Sequence, residues 1–212
     1  MSSIAGRLTE VRSRIAAAAR SGGRDPSSVR LVAVSKTFSL DQVRDAYAAG
    51  QRDFGENRVQ EALEKIQESG NLDITWHLLG HLQTNKARRA ASAFATIQSV
   101  DSLELLQKLD AAAASAGTTP QLLIQVDLAD EATKFGVRPE DVPPLLEAAA
   151  ALRSARVVGL MTLPPIPEEP EDARPWFKRL RELRDEWLAA GVPAGMLREL
   201  SMGMSGDFEV AV

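Results

Sequence analysis

The sequence predicts an α/β protein on a parallel sheet, a (β/α)8-type barrel, and three observations carry that prediction. Short apolar runs alternate with longer amphipathic ones along the whole chain. Each gap between apolar runs is long enough for a covering helix. No composition shift divides the 212 residues, so 1–212 reads as a single domain.

The strand-like runs are Leu31 to Ser35, Arg52 to Phe54, Thr75 to Leu79, Ala95 to Ser99, Leu122 to Val126, Val157 to Met161 and Glu199 to Met202. Ahead of them, Ile4, Leu8, Val11 and Ile15 form the stripe of a first helix. Oxygen-bearing residues mark further helix starts: Ser39 with Gln42 three residues on, Asn57 with Gln60, Thr84, and Asp101 before Leu103, Leu106 and Leu109. Phe177, Leu180, Leu183, Trp187 and Leu188 give a late helix one apolar face. Pro164, Pro165, Pro167 and Pro170 stiffen the connection before it. The runs number seven, not eight, and Asp207 to Val212 reads as the first turn of a helix where an eighth strand would follow. A barrel short of one strand has edges that need cover or a partner.

Composition narrows function mainly by exclusion. A net charge of -4 and a pI near 5.4 give no general attraction to nucleic acid or an anionic membrane. The absence of cysteine excludes disulfides, thiol nucleophiles and thiolate metal sites. No apolar run approaches the ~20 residues needed to cross a bilayer, and a cytoplasmic monomer is expected. The first 24 residues hold five arginines and one acid, a transit-peptide-like balance that an ordinary first helix explains equally well.

In such a barrel the residues that follow each strand meet at one mouth. Those positions are Lys36, Asn57, the His77 to His81 segment, Met161 with Thr162, and Ser201 to Ser205. Lys36 ends a buried-type strand, where a partly desolvated amine would be neutral and could attack an aldehyde. Its position suits a lysine snorkelling to solvent as well. Asn57 can cap a helix or aim its amide at a ligand. His77 and His81 are four apart, but Gly80 and the strand-to-turn context argue against a helical metal pair, so no metal is expected. Lys86, Arg88 and Arg89 read as a solvated helix face. Ser201-Met202-Gly203-Met204-Ser205 offers hydroxyls, a flexible glycine and amides at a helix start, a candidate phosphate cradle.

Taken together, Val32-Ala33-Val34-Ser35-Lys36, Phe54-Gly55-Glu56-Asn57, Trp76 to Lys86, Gly159-Leu160-Met161 and Leu200 to Ser205 resemble the pyridoxal phosphate homeostasis protein family, related to the alanine racemase N-terminal domain. The Lys134-Phe135-Gly136 turn resembles it too. The resemblance implies pyridoxal 5'-phosphate (PLP) held as a Schiff base on Lys36. It also implies that the Ser201 to Ser205 segment helps hold the phosphate, through Ser201, Gly203, Met204 and Ser205, and the mouth positions Asn57, His77 and Met161 are the further candidate cofactor contacts. The role implied is vitamin B6 homeostasis without catalytic turnover, with PLP-dependent apo-enzymes as recipients. The family pattern continues to a last helix and an eighth strand with an Arg-Ile-Gly-Thr type segment, whose arginine and amides are implied to complete the site; the present sequence ends before it.

Three other readings stay open. A PLP-dependent racemase or transaminase-like enzyme of low activity would use Lys36 as an acid/base, but the single tyrosine, Tyr47, falls in a barrel helix and supplies no second base. A Schiff-base aldolase would need no PLP. A purely structural module would leave Lys36 to solvent.

Overall fold

The computed structural model describes residues 3–129 and 135–212. Its elements follow in strict alternation: α1 (Ile4–Ser21), β1 (Ala33–Val34), α2 (Leu40–Ala48), β2 (Asp53–Glu56), α3 (Val59–Ser69), β3 (Thr75–Leu78), α4 (Ala87–Ala93), β4 (Thr96–Val100), α5 (Leu103–Ala116), β5 (Gln121–Gln125), α6 (Val142–Ala149), β6 (Arg156–Met161), α7 (Arg174–Ala189), β7 (Glu199–Ser201) and α8 (Phe208–Ala211). All six strand pairings are parallel and run in sequence order from β1 to β7. The sheet is a curled half-barrel among the described residues, with β1 and β7 as its edges.

Alternation along the strands gives the sheet two unlike faces. Phe54, Trp76, Leu78, Ile97, Leu122, Ile124, Val157 and Leu160 join the helices in the main core. Phe54 and Trp76 are register partners whose rings lie 5.9 Å apart. On the inner face Leu123, Val158 and Met161 form a separate small cluster. Polar side chains at Gln98 and His77 are buried as well. Register shifts in β4–β5 and β5–β6 move residues between faces, so that Val157 and Leu160 point outward while Val158 and Met161 point inward.

Arginines of α1 close the curl. Arg12 donates to the carbonyls of Ala49 and Gly50 and to Gln51 Oε1, just past α2. Arg14 pairs with Glu209 on α8, and Arg24, in the turn just past α1, donates to the Val212 carbonyl. One helix therefore touches structure next to both edges of the sheet.

Local sequence signals coincide with the helix boundaries at some points and not at others. The Ser39 and Gln42 capping box is present. Asn57 does not cap α3: Arg58 occupies that position without a side-chain bond. Thr84 lies inside the turn it was expected to cap, behind Gln83. Ser102, not Asp101, caps α5 through its bond from Leu105 N, because the Asp101 carboxylate is taken by His81. The first strand is also shorter than expected, as its ladder holds only Ala33 and Val34. Lys86, Arg88 and Arg89 are exposed, as expected of a solvated face. No helix among the described residues is long and apolar enough to cross a membrane.

Candidate functional site

The C-terminal rim of the sheet gathers Lys36 after β1, Asn57 after β2, Gly80 and His81 after β3, Asp101 after β4, Thr162 after β6 and Met202 to Ser205 after β7. Parallel strands in sequential register make this gathering unavoidable. Gly80 allows the backbone to approach at this end, and Gly159 allows it further down, where β6 meets the start of β7. A Cβ on Gly80 would lie 2.1 Å from the Asn57 carbonyl, and one on Gly159 would lie 2.0 Å from that of Glu199.

Lys36 is exposed, which corrects the expected desolvation of its amine: β1 is an edge strand of two residues, and Lys36 lies beyond its ladder. What surrounds its backbone is buried. Ser35 Oγ donates to Glu56 Oε1 at 2.7 Å, and the Lys65 ammonium reaches the Ser35 carbonyl at 2.6 Å, Glu56 Oε1 at 2.8 Å and Glu61 Oε1 at 3.0 Å. Glu61 Oε1 also accepts from Thr37 N at 2.8 Å. Glu56 is 0% exposed, and its Oε2 has no hydrogen-bond partner among the described residues. These groups lie between the sheet and α3, on the far side of β1 from the barrel interior.

His77 is not at the rim. It is buried on the inner face, where Nε2 meets Asp53 Oδ1 at 3.0 Å and Nδ1 meets Gln98 Nε2 at 3.1 Å. Gln98 Oε1 accepts from Ser201 Oγ at 2.5 Å, completing a chain from β2 to β7. Because an amide nitrogen can only donate, Nδ1 is the acceptor and Nε2–H the donor to Asp53, which is the neutral tautomer. Burial pushes the His77 pKa down, against the opposing hydrogen bond and charge of Asp53; Arg30 adds a smaller downward effect. Met161, 1% exposed, forms part of the inner floor with Leu123 and Val158.

At the rim beyond the central strands β3 and β4, His81 Nδ1 lies 3.0 Å from Asp101 Oδ2, and the His81 ring stacks on Phe135 with centroids 3.6 Å apart. Burial raises the Asp101 pKa, partly offset by His81. Lys134 lies outside the described residues. In the last loop Gly203 has φ +89°, and a Cβ there would come within 2.7 Å of Ala211 Cβ, so only glycine suits the turn into α8. Met204 and Ser205 are exposed, but the Met204 N–H is already bonded to the buried carboxylate of Asp207. That amide is therefore not free for a phosphate, while the Ser205 hydroxyl faces solvent.

Sequence reasoning missed Glu56, Glu61, Lys65, Asp53, Gln98 and Asp101 as site-supporting groups. A signal existed for Lys65, which lies on the same buried stripe of α3 as Val59, Ala62 and Ser69. Gln98 is likewise a large polar residue inside a strand that is buried throughout.

Curled sheet, helical cover and rim lysine define a barrel of the alanine racemase N-terminal domain class, and residues 7–211 match the model of that family, "Alanine racemase, N-terminal domain". An alanine racemase from Clostridium difficile in complex with cycloserine superposes with a TM-score of 0.67 at 18% identity, covering 82% of this chain and 48% of that one, a likeness of fold. The pyridoxal phosphate homeostasis protein of Pseudomonas aeruginosa is 45% identical over 213 residues, 100% of this chain and 90% of that protein; its counterpart in Aquifex aeolicus is 42% identical over 206 residues, 97% and 90%. PipY of Synechococcus elongatus, solved with PLP bound, is 42% identical with a TM-score of 0.86, covering 98% of this chain and 92% of that one. The chain belongs to the pyridoxal phosphate homeostasis protein family.

Proposed function

We propose that this protein binds PLP at the C-terminal rim, covalently through Lys36, and serves vitamin B6 homeostasis as a cytoplasmic carrier that delivers the cofactor to PLP-dependent apo-enzymes. The observation that carries this reading is the free, exposed primary amine of Lys36 at the rim of a barrel 42% identical to a protein solved with PLP bound. When bound, PLP supplies an aldehyde that condenses with a primary amine and a phosphate that seeks hydrogen-bond donors.

The donor set suits both ends of such a ligand. Lys36 provides the amine, and Asn57 offers an amide on the neighbouring strand end. Ser205 offers a free hydroxyl in the loop after β7, with Gly203 and Met204 shaping its backbone, and Ser201, the last residue of β7, has its hydroxyl committed to Gln98 and lines the site beside it. Met161 contributes an apolar floor, and His77 acts from below through Gln98 by orienting Ser201. The exposure of Lys36 favours exchange over turnover, since an enzyme active site normally shields its reactive centre from water. The relatives are also named for homeostasis rather than for a reaction.

The test is an absorbance titration of the protein with PLP beside Lys36→Ala, then borohydride reduction and peptide mapping. A band at roughly 400–430 nm in the unchanged protein, with the reduced adduct on Lys36, is the expected result. Adducts scattered over exposed lysines such as Lys108 and Lys178 overturn the proposal.

A further inference from the structure

Ser35 to Phe38 form a turn closed by the bond from Phe38 N to Ser35 O at 3.1 Å. Lys36 is its second residue and Thr37 its third, with φ +67°, the only positive value at a non-glycine among the described residues. That pattern is a type II turn, whose third position calls for glycine or asparagine. A β-branched residue resists the left-handed conformation, so something must hold it there.

The holding groups come from α3. The Ser35 carbonyl belongs to the peptide plane before the Lys36 Cα, and the Thr37 N–H belongs to the plane after it. Lys65 binds the first and Glu61 the second, while Lys65 joins Glu61 to the buried Glu56. Because peptide planes are rigid, pinning both fixes φ and ψ of Lys36, and the Phe38 N–H bonded to the same Ser35 carbonyl holds the plane after Thr37, so the left-handed Thr37 is fixed between two held planes as well.

We propose that Glu61, braced by Lys65 and Glu56, is a positioning residue for Lys36, holding the strained turn that aims the anchor amine at its ligand before the ligand arrives. The inference rests on the reading that Lys36 links PLP. Pre-ordering the turn removes a cost that would otherwise fall on the binding step. The Thr37 N–H, and after it Lys65, hold Glu61 below the usual carboxylate range, which keeps it an anion where the clamp is needed.

The experiment follows the rate at which PLP forms a borohydride-trapped adduct on Lys36, with the exposed Lys108 and Lys178 as internal references. In E61A the Lys36 rate falls roughly tenfold, the population change that matches the left-handed penalty of threonine, while the reference lysines are unchanged. Adding T37N, which accepts the turn without a clamp, restores most of the rate. E61Q keeps an acceptor for Thr37 but not the ion pair with Lys65, and falls between. Circular dichroism and Tm follow the fold throughout.

If Glu61 is merely structural, its variants lower Tm and T37N leaves the Lys36 rate low, which overturns the proposal. A folded E61A that reacts at the unaltered rate overturns it as well. Should E61A not fold, E61Q with and without T37N carries the same comparison. An unaltered protein that forms no Lys36 adduct defeats the PLP reading itself, whereas a normal adduct indifferent to Glu61 defeats only the clamp.

Discussion

Replacing His77 by glutamine tests the inner hydrogen-bond chain through its pH dependence. Glutamine can accept from Gln98 with Oε1 and donate to Asp53 with Nε2, reproducing the neutral imidazole while removing its titration. Burial lowers the His77 pKa from its ordinary value of 6.5, so below 6.5 the unfolded chain takes up a proton that the folded protein refuses. Stability is therefore full above 6.5 and is lost as pH falls toward the folded value. For one group the loss between about pH 7.5 and pH 5.5 is at most about 1.4 kcal/mol. The chain has only two histidines, so the comparison with His77→Gln subtracts His81 and isolates this contribution. The assay is urea unfolding at both pH values. Wild type should lose more stability than His77→Gln on acidification, while at about pH 7.5 the two differ by roughly 1–2 kcal/mol or less. Equal pH slopes would refute the argument that burial keeps His77 neutral.

Other perturbations separate the structural groups. Lys65→Met leaves Glu56 buried without a cation and should cost about 3–5 kcal/mol in denaturant unfolding; the double variant Glu56→Leu, Lys65→Met recovers most of it, because an apolar pair replaces a buried ionic one. Gly80→Ala drives a Cβ into the Asn57 carbonyl, so it should cost about 1–3 kcal/mol and weaken PLP binding measured by absorbance titration. Asp110 accepts from the backbone N–H groups of Arg153, Ser154 and Ala155; burial raises its pKa but those bonds outweigh it, and the net shift is downward. Its contribution is full above the ordinary value of 3.8 and lost as pH falls through the lower folded value, so Asp110→Asn should cost about 1–2 kcal/mol at neutral pH, a gap that closes in strong acid.

The strand count and order were legible because each strand's outer face is apolar at period two and each helix stripe at period 3.6. The rim residues followed from topology alone. Capping went wrong at Asp101 and Asn57 because each stands next to the true capping position, and local sequence does not say which neighbour is committed elsewhere. The partner of Asp101 is His81, twenty residues back. Lys36 was expected to be desolvated because its strand reads as buried; membership of the sheet edge, a property of the assembled sheet, reverses that. Lys65 was overlooked although it breaks an apolar stripe, since an exposed lysine is the ordinary case and its buried partner Glu56 comes from another element.

The two buried polar systems begin on one strand and diverge. Asp53 and Glu56 stand three residues apart on β2, an odd separation, so they face opposite sides of the sheet. From Glu56 the outer system runs through Lys65 to the turn that carries Lys36, beyond the β1 edge. From Asp53 the inner system runs through His77 and Gln98 to Ser201, the last residue of the β7 edge. Edge strands have ladder bonds on one side only and are the least constrained part of a sheet. Apolar residues at Glu56, Lys65, His77 and Gln98 would fill the same space without the cost of desolvating polar groups. That cost is met where each system ends, because side-chain bonds give the rim residues of both edges the fixed geometry that a one-sided ladder cannot, and those are the residues a rim ligand would need held.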